Sequence, residues 1–267
     1  MLSAIVFVFW PEEDELIEAC LKSVSFADEI IIIDNGATPK TLKICKKYTK
    51  KIYKTSSKDF SEHHNLGKEK ARGDWLLYVD ADERASVQLQ KEIKKELQNP
   101  QMDAYQLFRQ NFFLGKKTRY GDRFPDYVTR LFRKDKLLGW QGEIHESSQV
   151  EGQIGKLNAP LYHLTHRDIY SMMAKTINFS EHEALIRFRN NHPSVVWWRL
   201  VRVFVSEFFY RVFVLQGWRQ GTEGWIDGIF QAFSLFIVYV RLWELQRKSS
   251  LAEKYKEIDE KVLSGEI

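Results

Sequence analysis

The sequence predicts an α/β protein with a mixed central sheet flanked by helices and a C-terminal amphipathic helical extension. Three observations carry this. Apolar runs of strand length alternate with segments of helical period through the first third of the chain. The runs Ile30–Ile33 and Trp75–Val79 are apolar at every position, as strands covered on both faces are, and each stops on an acid, Asp34 and Asp80. Beyond His166 the strand patterns give way to long helical ones rich in aromatic residues.

Taken in order, Ala4–Phe9 reads as a buried strand. Pro11 and the acids Glu12, Glu13, Asp14 and Glu15 predict a helix start, because proline suits the first turn and acids favour the positive end of the helix dipole. Leu16, Ile17, Cys20, Leu21 and Val24 continue it at helical spacing. Ile30–Ile33 is the second strand, closed by the turn Asp34-Asn35-Gly36. Thr38 and Pro39 begin a second helix through Leu42, Cys45 and Tyr48. Lys51–Tyr53 is a short third strand, and Ser61–Ala71 a third helix carrying His63, His64 and Asn65. Neighbours on a helix point about 100° apart, so these histidines do not share a metal and read as surface or ligand-facing polar groups.

Gly73-Asp74 leads into the strand Trp75–Val79, after which Ser86 caps a helix that ends at Asn99-Pro100. Ala104–Leu114, Gly115-Lys116-Lys117 and Tyr127–Arg133 read as strands joined by turns, a mixed or antiparallel half of the sheet. Gly139 to Glu146 reads as a surface loop whose acids are candidate bases. Two apolar helical segments, Val195–Leu215 and Trp225–Trp243, flank a glycine-bearing turn, Gln216–Gly224. Their bordering arginines and tryptophans suit a bilayer interface, with packing on the sheet or on a second copy as the equal alternative. Residues 249–267 read as a loose charged tail. The expected domains are residues 1–165, 166–248 and 249–267.

Composition bounds the function. The chain has 267 residues, enough for a sizeable core, and a net charge of +4, too small to suggest nucleic acid without a basic patch. Cys20 and Cys45 form no metal or redox spacing, which favours a reducing compartment. Met1–Trp10 shows no pattern of a secretory leader. The longest uncharged apolar run, Gly228–Val240, has 13 residues, short of the roughly 20 needed to span a bilayer.

The acids after the fourth apolar run form the strongest local motif. In an open α/β sheet the ligand crevice lies beyond the carboxyl ends of the strands. Asp80 and Asp82 are placed there, and two hard oxygen donors suit a Mg²⁺ or Mn²⁺ that carries a diphosphate. A solvated acidic turn is the alternative. Asp34 occupies the matching place on its own strand, suited to a base or ribose, or else to closing a turn.

Four segments together resemble an inverting glycosyltransferase of family 2 with the nucleotide-diphospho-sugar transferase (GT-A) fold. They are the opening strand with Pro11-Glu12-Glu13; Ala27–Ile30 to Asp34-Asn35-Gly36; Gly73-Asp74-Trp75 to Asp80-Ala81-Asp82-Glu83-Arg84; and Gly142-Glu143-Ile144-His145-Glu146. More narrowly, the chain is similar to the lipopolysaccharide core β-glucosyltransferase group, through Tyr162–Arg167, Gly217–Gly224 and Leu242–Leu245 as well. The resemblance implies that Asp34 reads the base, that Asp80 contacts ribose and metal, and that Asp82 is the main metal ligand. It implies Glu146 as the base, with Glu143 as substitute, and Arg130 and Arg133 on the diphosphate or a charged acceptor. Pro11, Glu13 and Asn65 complete the nucleotide-sugar set. Two positions depart from the family pattern: Trp10-Pro11 precedes the acid pair of the first loop, and Pro39 stands where an aspartate is usual.

The partners so implied are a nucleoside diphosphate sugar, a lipid-linked or glycan acceptor and a membrane surface on its cytoplasmic side, with homo-oligomers possible and nucleic acid not expected. A polyprenyl-phosphate acceptor and a non-catalytic nucleotide-sugar-binding scaffold are the alternatives.

Overall fold

The structure, a computed structural model, describes residues 1–9, 14–57, 59–122, 124–142, 147–247 and 249–266. The chain forms two compact units: Met1–Lys117 with Phe124–Arg167, and Thr118–Arg123 with Asp168–Ile267.

The first unit is a mixed sheet. Strands β1 (Leu2–Val8), β2 (Glu29–Asp34), β3 (Ile52–Lys54) and β4 (Trp75–Asp80) are parallel, in the order β3-β2-β1-β4. The sheet continues through β8 (Asp126–Arg133), β6 (Ala104–Phe113), β11 (Ile154–His163) and β5 (Glu83–Ala85), with β7 (Lys116–Lys117) paired to β6. Here β8 is antiparallel to both β4 and β6, and β11 is parallel to β6. A separate ribbon pairs β9 (Leu137–Gln141) with β10 (Ser147–Val150).

The pleat sends alternate residues to opposite faces, and both faces are covered. Ala4, Val6, Ile32, Leu77 and Val79 pack with helices α1 (Ile17–Val24) and α4 (Val87–Glu96). Ile5, Phe7, Ile31, Ile33, Leu76 and Tyr78 pack with Ala71, Leu66 of α3 (Phe60–Lys70) and Trp140 of β9. Double coverage is why β1, β2 and β4 read as unbroken apolar runs. Gly67 makes the α3 contact possible, since a Cβ there would lie 2.6 Å from Ile5 Cγ2.

Local signals hold at several helix ends. Thr38 accepts the amide of Thr41 at the start of α2 (Pro39–Cys45), with Pro39 in the first turn. Ser86 accepts the amide of Leu89. The helix expected from Pro11 begins later, at Ile17. Asp14 instead accepts hydrogen bonds from the hydroxyls of Thr38 and Thr41, which lower its pKa, so this acid ties α2 down rather than starting α1.

Three further expectations are corrected. His63 and His64 are buried, at 1% and 2% exposure, rather than surface or ligand-facing. The ring of His64 packs on Phe7, Tyr78 and Trp140 at centroid distances of 4.3, 5.4 and 4.2 Å, and this burial lowers its pKa to about 4. Gly139, Trp140 and Gln141 belong to β9, and Trp140 is core rather than loop. The residues after Ser249 are not loose: Ser250 and Glu253 form a capping box for α8 (Leu251–Ser264), although that helix buries no residue.

The second unit contains α5 (Ile169–Arg189), α6 (Trp197–Phe209) with a π-helical turn over Tyr210–Val214, and α7 (Thr222–Leu245). α7 packs along both α5 and α6. Gly228 lets α7 approach the π turn closely, because a Cβ would meet Val212 Cγ2 at 2.4 Å. At 24 residues α7 is long and apolar enough to cross a membrane by length and composition alone, more than the 13-residue run suggested. Thr118–Arg123 joins this unit through Gly121 N–H on Leu215 O at 2.9 Å and through Arg211 on Asp122 at 3.4 Å.

Candidate active site

Register places the acids. β1 lies between β2 and β4, with Val8 opposite Asp34 and Phe7 opposite Asp80, so both carboxylates emerge at the same carboxyl edge of the sheet. Two strand spacings separate them, about 10 Å. The turn after β4 carries Asp82, and β5 brings Glu83 back beside β11, where His163 is its register partner.

Around Asp80 lies a network of buried charge. Glu83 is fully buried; one carboxylate oxygen accepts the Asp80 amide at 3.0 Å, and the other faces Arg130 at 3.5 Å and Arg109 at 3.8 Å. Burial raises its pKa, against the pull of Arg130. Arg130 also binds the Asp80 carboxylate, and Arg109 binds Asp126 at 2.7 Å. Such a network is costly to desolvate and holds only when each member has partners. It fixes the acid turn from behind.

His163 shows what the turn can hold. Asn111 donates its amide N–H to Asp126 at 3.1 Å, which leaves its Oδ1 to accept from His163 Nδ1 at 2.7 Å. The proton therefore sits on Nδ1, and the Nε2 lone pair points to Asp82 Oδ2 at 3.5 Å. Two acceptors facing each other at that distance are stabilised by a cation or a proton between them. Among the described residues no group of three or more His, Cys, Asp and Glu side chains is gathered around one metal position. The pair offers one carboxylate oxygen and one imidazole nitrogen, a set that fits Mn²⁺ better than the oxygen-preferring Mg²⁺, with the rest of the shell left to phosphate and water.

At the other end of the edge, Asp34 is 4% exposed and accepts the amides of Gly36 and Ala37 at 3.1 and 2.8 Å through Oδ1. Its turn is tied down by Asn35, which donates to Ser57 O at 3.1 Å. Beside it opens a cleft of about 610 Å³ lined by Lys54, Thr55, Ser56, Ser57 and Glu62. The lining is polar, with Lys54 and Glu62 as its charged side chains.

Comparison with known proteins decides the family, since residues 5–151 match Glycosyl transferase family 2. The chain belongs to this family. An uncharacterized glycosyltransferase of Rickettsia bellii is 25% identical over 275 residues, covering 94% of this chain and 90% of that one, so the similarity reaches well into the helical unit. Among solved structures, TarS of S. aureus in complex with UDP-GlcNAc aligns at 15% identity and a TM-score of 0.49, over 91% of this chain and 84% of that one. Glucosyl-3-phosphoglycerate synthase of Mycobacterium tuberculosis, in complex with Mg²⁺ and UDP, aligns at 16% identity and a TM-score of 0.35, over 41% and 43%. The mixed sheet with helices and its C-terminal helices match the GT-A architecture that the resemblance implies.

In this family 2 glycosyltransferase the expected residues separate into groups. Asp34, Asp80, Asp82 and Arg130 share the carboxyl edge of the sheet. Arg133 does not: it is the register partner of Trp75, at the far end of β4, and pairs with Asp103 and Asp135. Roughly 17 Å of strand separates it from Asp80, five residues at about 3.3 Å each, so it does not serve the same diphosphate. Asn65 is also corrected. Its amide is clamped to both backbone groups of Trp140, at 3.1 and 2.9 Å, and so fastens β9 to α3. Pro11, Glu13, Glu143 and Glu146 lie outside the described residues. Glu83, Arg109, Asn111 and His163 were given no role from sequence, although Glu83 and His163 fall within segments that carry the resemblance.

Proposed function

We propose that this glycosyltransferase is metal-dependent and inverting, and that it moves a sugar from a nucleoside diphosphate sugar to a hydroxyl of a cell-surface glycolipid or glycan precursor. The lipopolysaccharide core is the acceptor class that the resemblance implies. The observation that carries the reading is the facing of Asp82 Oδ2 and His163 Nε2 at 3.5 Å on the edge that also bears Asp34 and Asp80. Asp82 and His163 would hold the divalent ion, with Asp80 beside them. When bound, that ion supplies charge neutralisation for the departing diphosphate.

The rest falls to the chain's own residues. Asp34 and the adjoining cleft hold the nucleoside. Arg130, anchored by Asp80 and Glu83, contributes a fixed positive charge at the same edge, preorganised because its partners are buried. Glu146, or Glu143 in its place, takes the proton of the acceptor hydroxyl as that oxygen attacks the anomeric carbon from the face opposite the leaving group, which inverts the centre. Cys20 and Cys45, both buried and neither in a disulfide, suit a cytoplasmic setting.

The test is calorimetry of a panel of nucleoside diphosphate sugars with Mn²⁺, on wild type and Asp82→Ala. Selective, Mn²⁺-dependent binding is expected for wild type, and its loss in Asp82→Ala together with about a 10³-fold loss of transfer. Equal metal-dependent binding in both proteins would remove Asp82 from the ion. Glu146→Gln should lower transfer by about 10²-fold or more with donor binding kept; unchanged transfer would shift the base to Glu143.

A further inference from the structure

We infer that the outer stripe of α6 is a docking surface for an anionic lipid bilayer, with the helix lying in the plane of the head groups. Trp197, Val201, Val205, Phe209 and Phe213 recur every four residues, and all are exposed, from 45% at Phe213 to 77% at Trp197. Within α6 only Val203 is buried. Phe213 touches the unit's own packing, its ring 6.1 Å from Trp225 of α7, but 45% or more of each side chain in the row is left uncovered, and patches of this kind mark an interaction site.

Charge identifies the occupant. The charged residues from 197 to 213 are Arg199, Arg202, Glu207 and Arg211. Glu207 is bound to Arg211 at 2.8 Å, which leaves Arg199 and Arg202 as the charges beside the stripe. Both stack on Trp198, at 5.2 and 5.7 Å from its ring. Arg247 on Trp243 at 4.7 Å and Arg219 on Tyr120 at 4.5 Å repeat the pattern elsewhere in the unit. Indoles and guanidiniums side by side, next to aliphatic carbon, match a phospholipid surface, where phosphates lie above acyl chains.

A second copy fits less well. Stripe on stripe, it would bring Arg199 and Arg202 against a surface that offers no unpaired acid from the same helix. Spanning does not suit α6 with its π turn, because Arg199, Arg202, Glu207 and Arg211 fall within the one segment and charged side chains are costly inside a bilayer.

The experiment is co-sedimentation of the full chain with vesicles of phosphatidylcholine alone or in equal parts with phosphatidylglycerol. Wild type is expected to bind the anionic vesicles and to release with salt. A Val201→Glu/Val205→Glu variant should lose about tenfold or more, and Arg199→Gln and Arg202→Gln roughly fivefold each. Quenching of tryptophan fluorescence by brominated lipid, reduced in Trp197→Phe, gives a readout independent of the charged variants. The inference is overturned by absent binding to anionic vesicles, or by a Val201→Glu/Val205→Glu variant that binds as wild type does. It is also overturned if wild type is a dimer that this variant splits, with no vesicle binding in either; the stripe would then join two copies.

Discussion

In the α/β unit, β4 buries Leu76, Leu77, Tyr78 and Val79 completely, whereas α6, about twice as long, buries Val203 and exposes its remaining large apolar residues to different degrees. Charge is handled just as differently. The sheet unit encloses Glu83 and Arg130 in a network behind the site, while the helical unit leaves Arg202 exposed and Arg199 half-buried beside an indole. A unit that satisfies its apolar and charged groups internally can hold a few side chains rigidly enough for chemistry. One that leaves both kinds outside has a surface fit for something else.

The comparison is broken most severely at Glu83. Its replacement by leucine removes the partner shared by Arg130, Arg109 and the Asp80 amide, and should cost roughly 3–5 kcal/mol. Hydrogen exchange would show the loss in the α/β unit; a drop under 1 kcal/mol would mean that Asp80 and Asp126 suffice for the two arginines.

Acid and base should separate the units next. Burial holds the His64 pKa at about 4, below its ordinary 6.5, so the unfolded chain binds the proton more readily. That contribution is present above pH 6.5 and is lost as pH falls through about 4, up to about 3 kcal/mol. Asp227 behaves oppositely. It is 8% exposed on α7, accepts from Gln231 at 3.1 Å, and burial raises its pKa from 3.8 to about 6. Its contribution is present below pH 4 and lost as pH rises through about 6, again up to about 3 kcal/mol. Exchange followed from pH 4 to 7 should therefore show acid loosening the sheet unit and firming the helical one. Asp227→Asn should flatten the second trend, and His64→Phe the first.

The smallest effect is expected on the stripe itself. Val205→Ser should change the stability of the helical unit by no more than about 0.5 kcal/mol, because the side chain is 56% exposed. A loss near 2 kcal/mol in thermal unfolding would place that residue in packing within the unit.

Most of the fold was legible. Strands buried on both faces are continuous apolar runs, and caps such as Thr38 and Ser86 are local chemistry, so β1, β2, β4, α2 and α4 could be read from short windows. The segments that were not legible depend on distant neighbours. β5 is three residues long and exists because β11 pairs with it; Trp140 resembles a loop residue until α3 and Phe132 enclose it. Arg133 illustrates the limit from the other side. The Arg-Leu-Phe-Arg stretch offers two arginines of equal promise, and only the antiparallel register with β4 sends one to the acid edge and the other away.

What the sequence determined alone is therefore the α/β class, the strand-end acids Asp34, Asp80 and Asp82, and the apolar helices with their arginines, since each follows from periodicity and residue type within a short window. Only the tertiary structure decided that His163 meets Asp82, that Glu83 is the buried support of Arg130, and that the stripe on α6 remains uncovered. Those facts rest on contacts between residues far apart in the chain, and no local pattern encodes a distance.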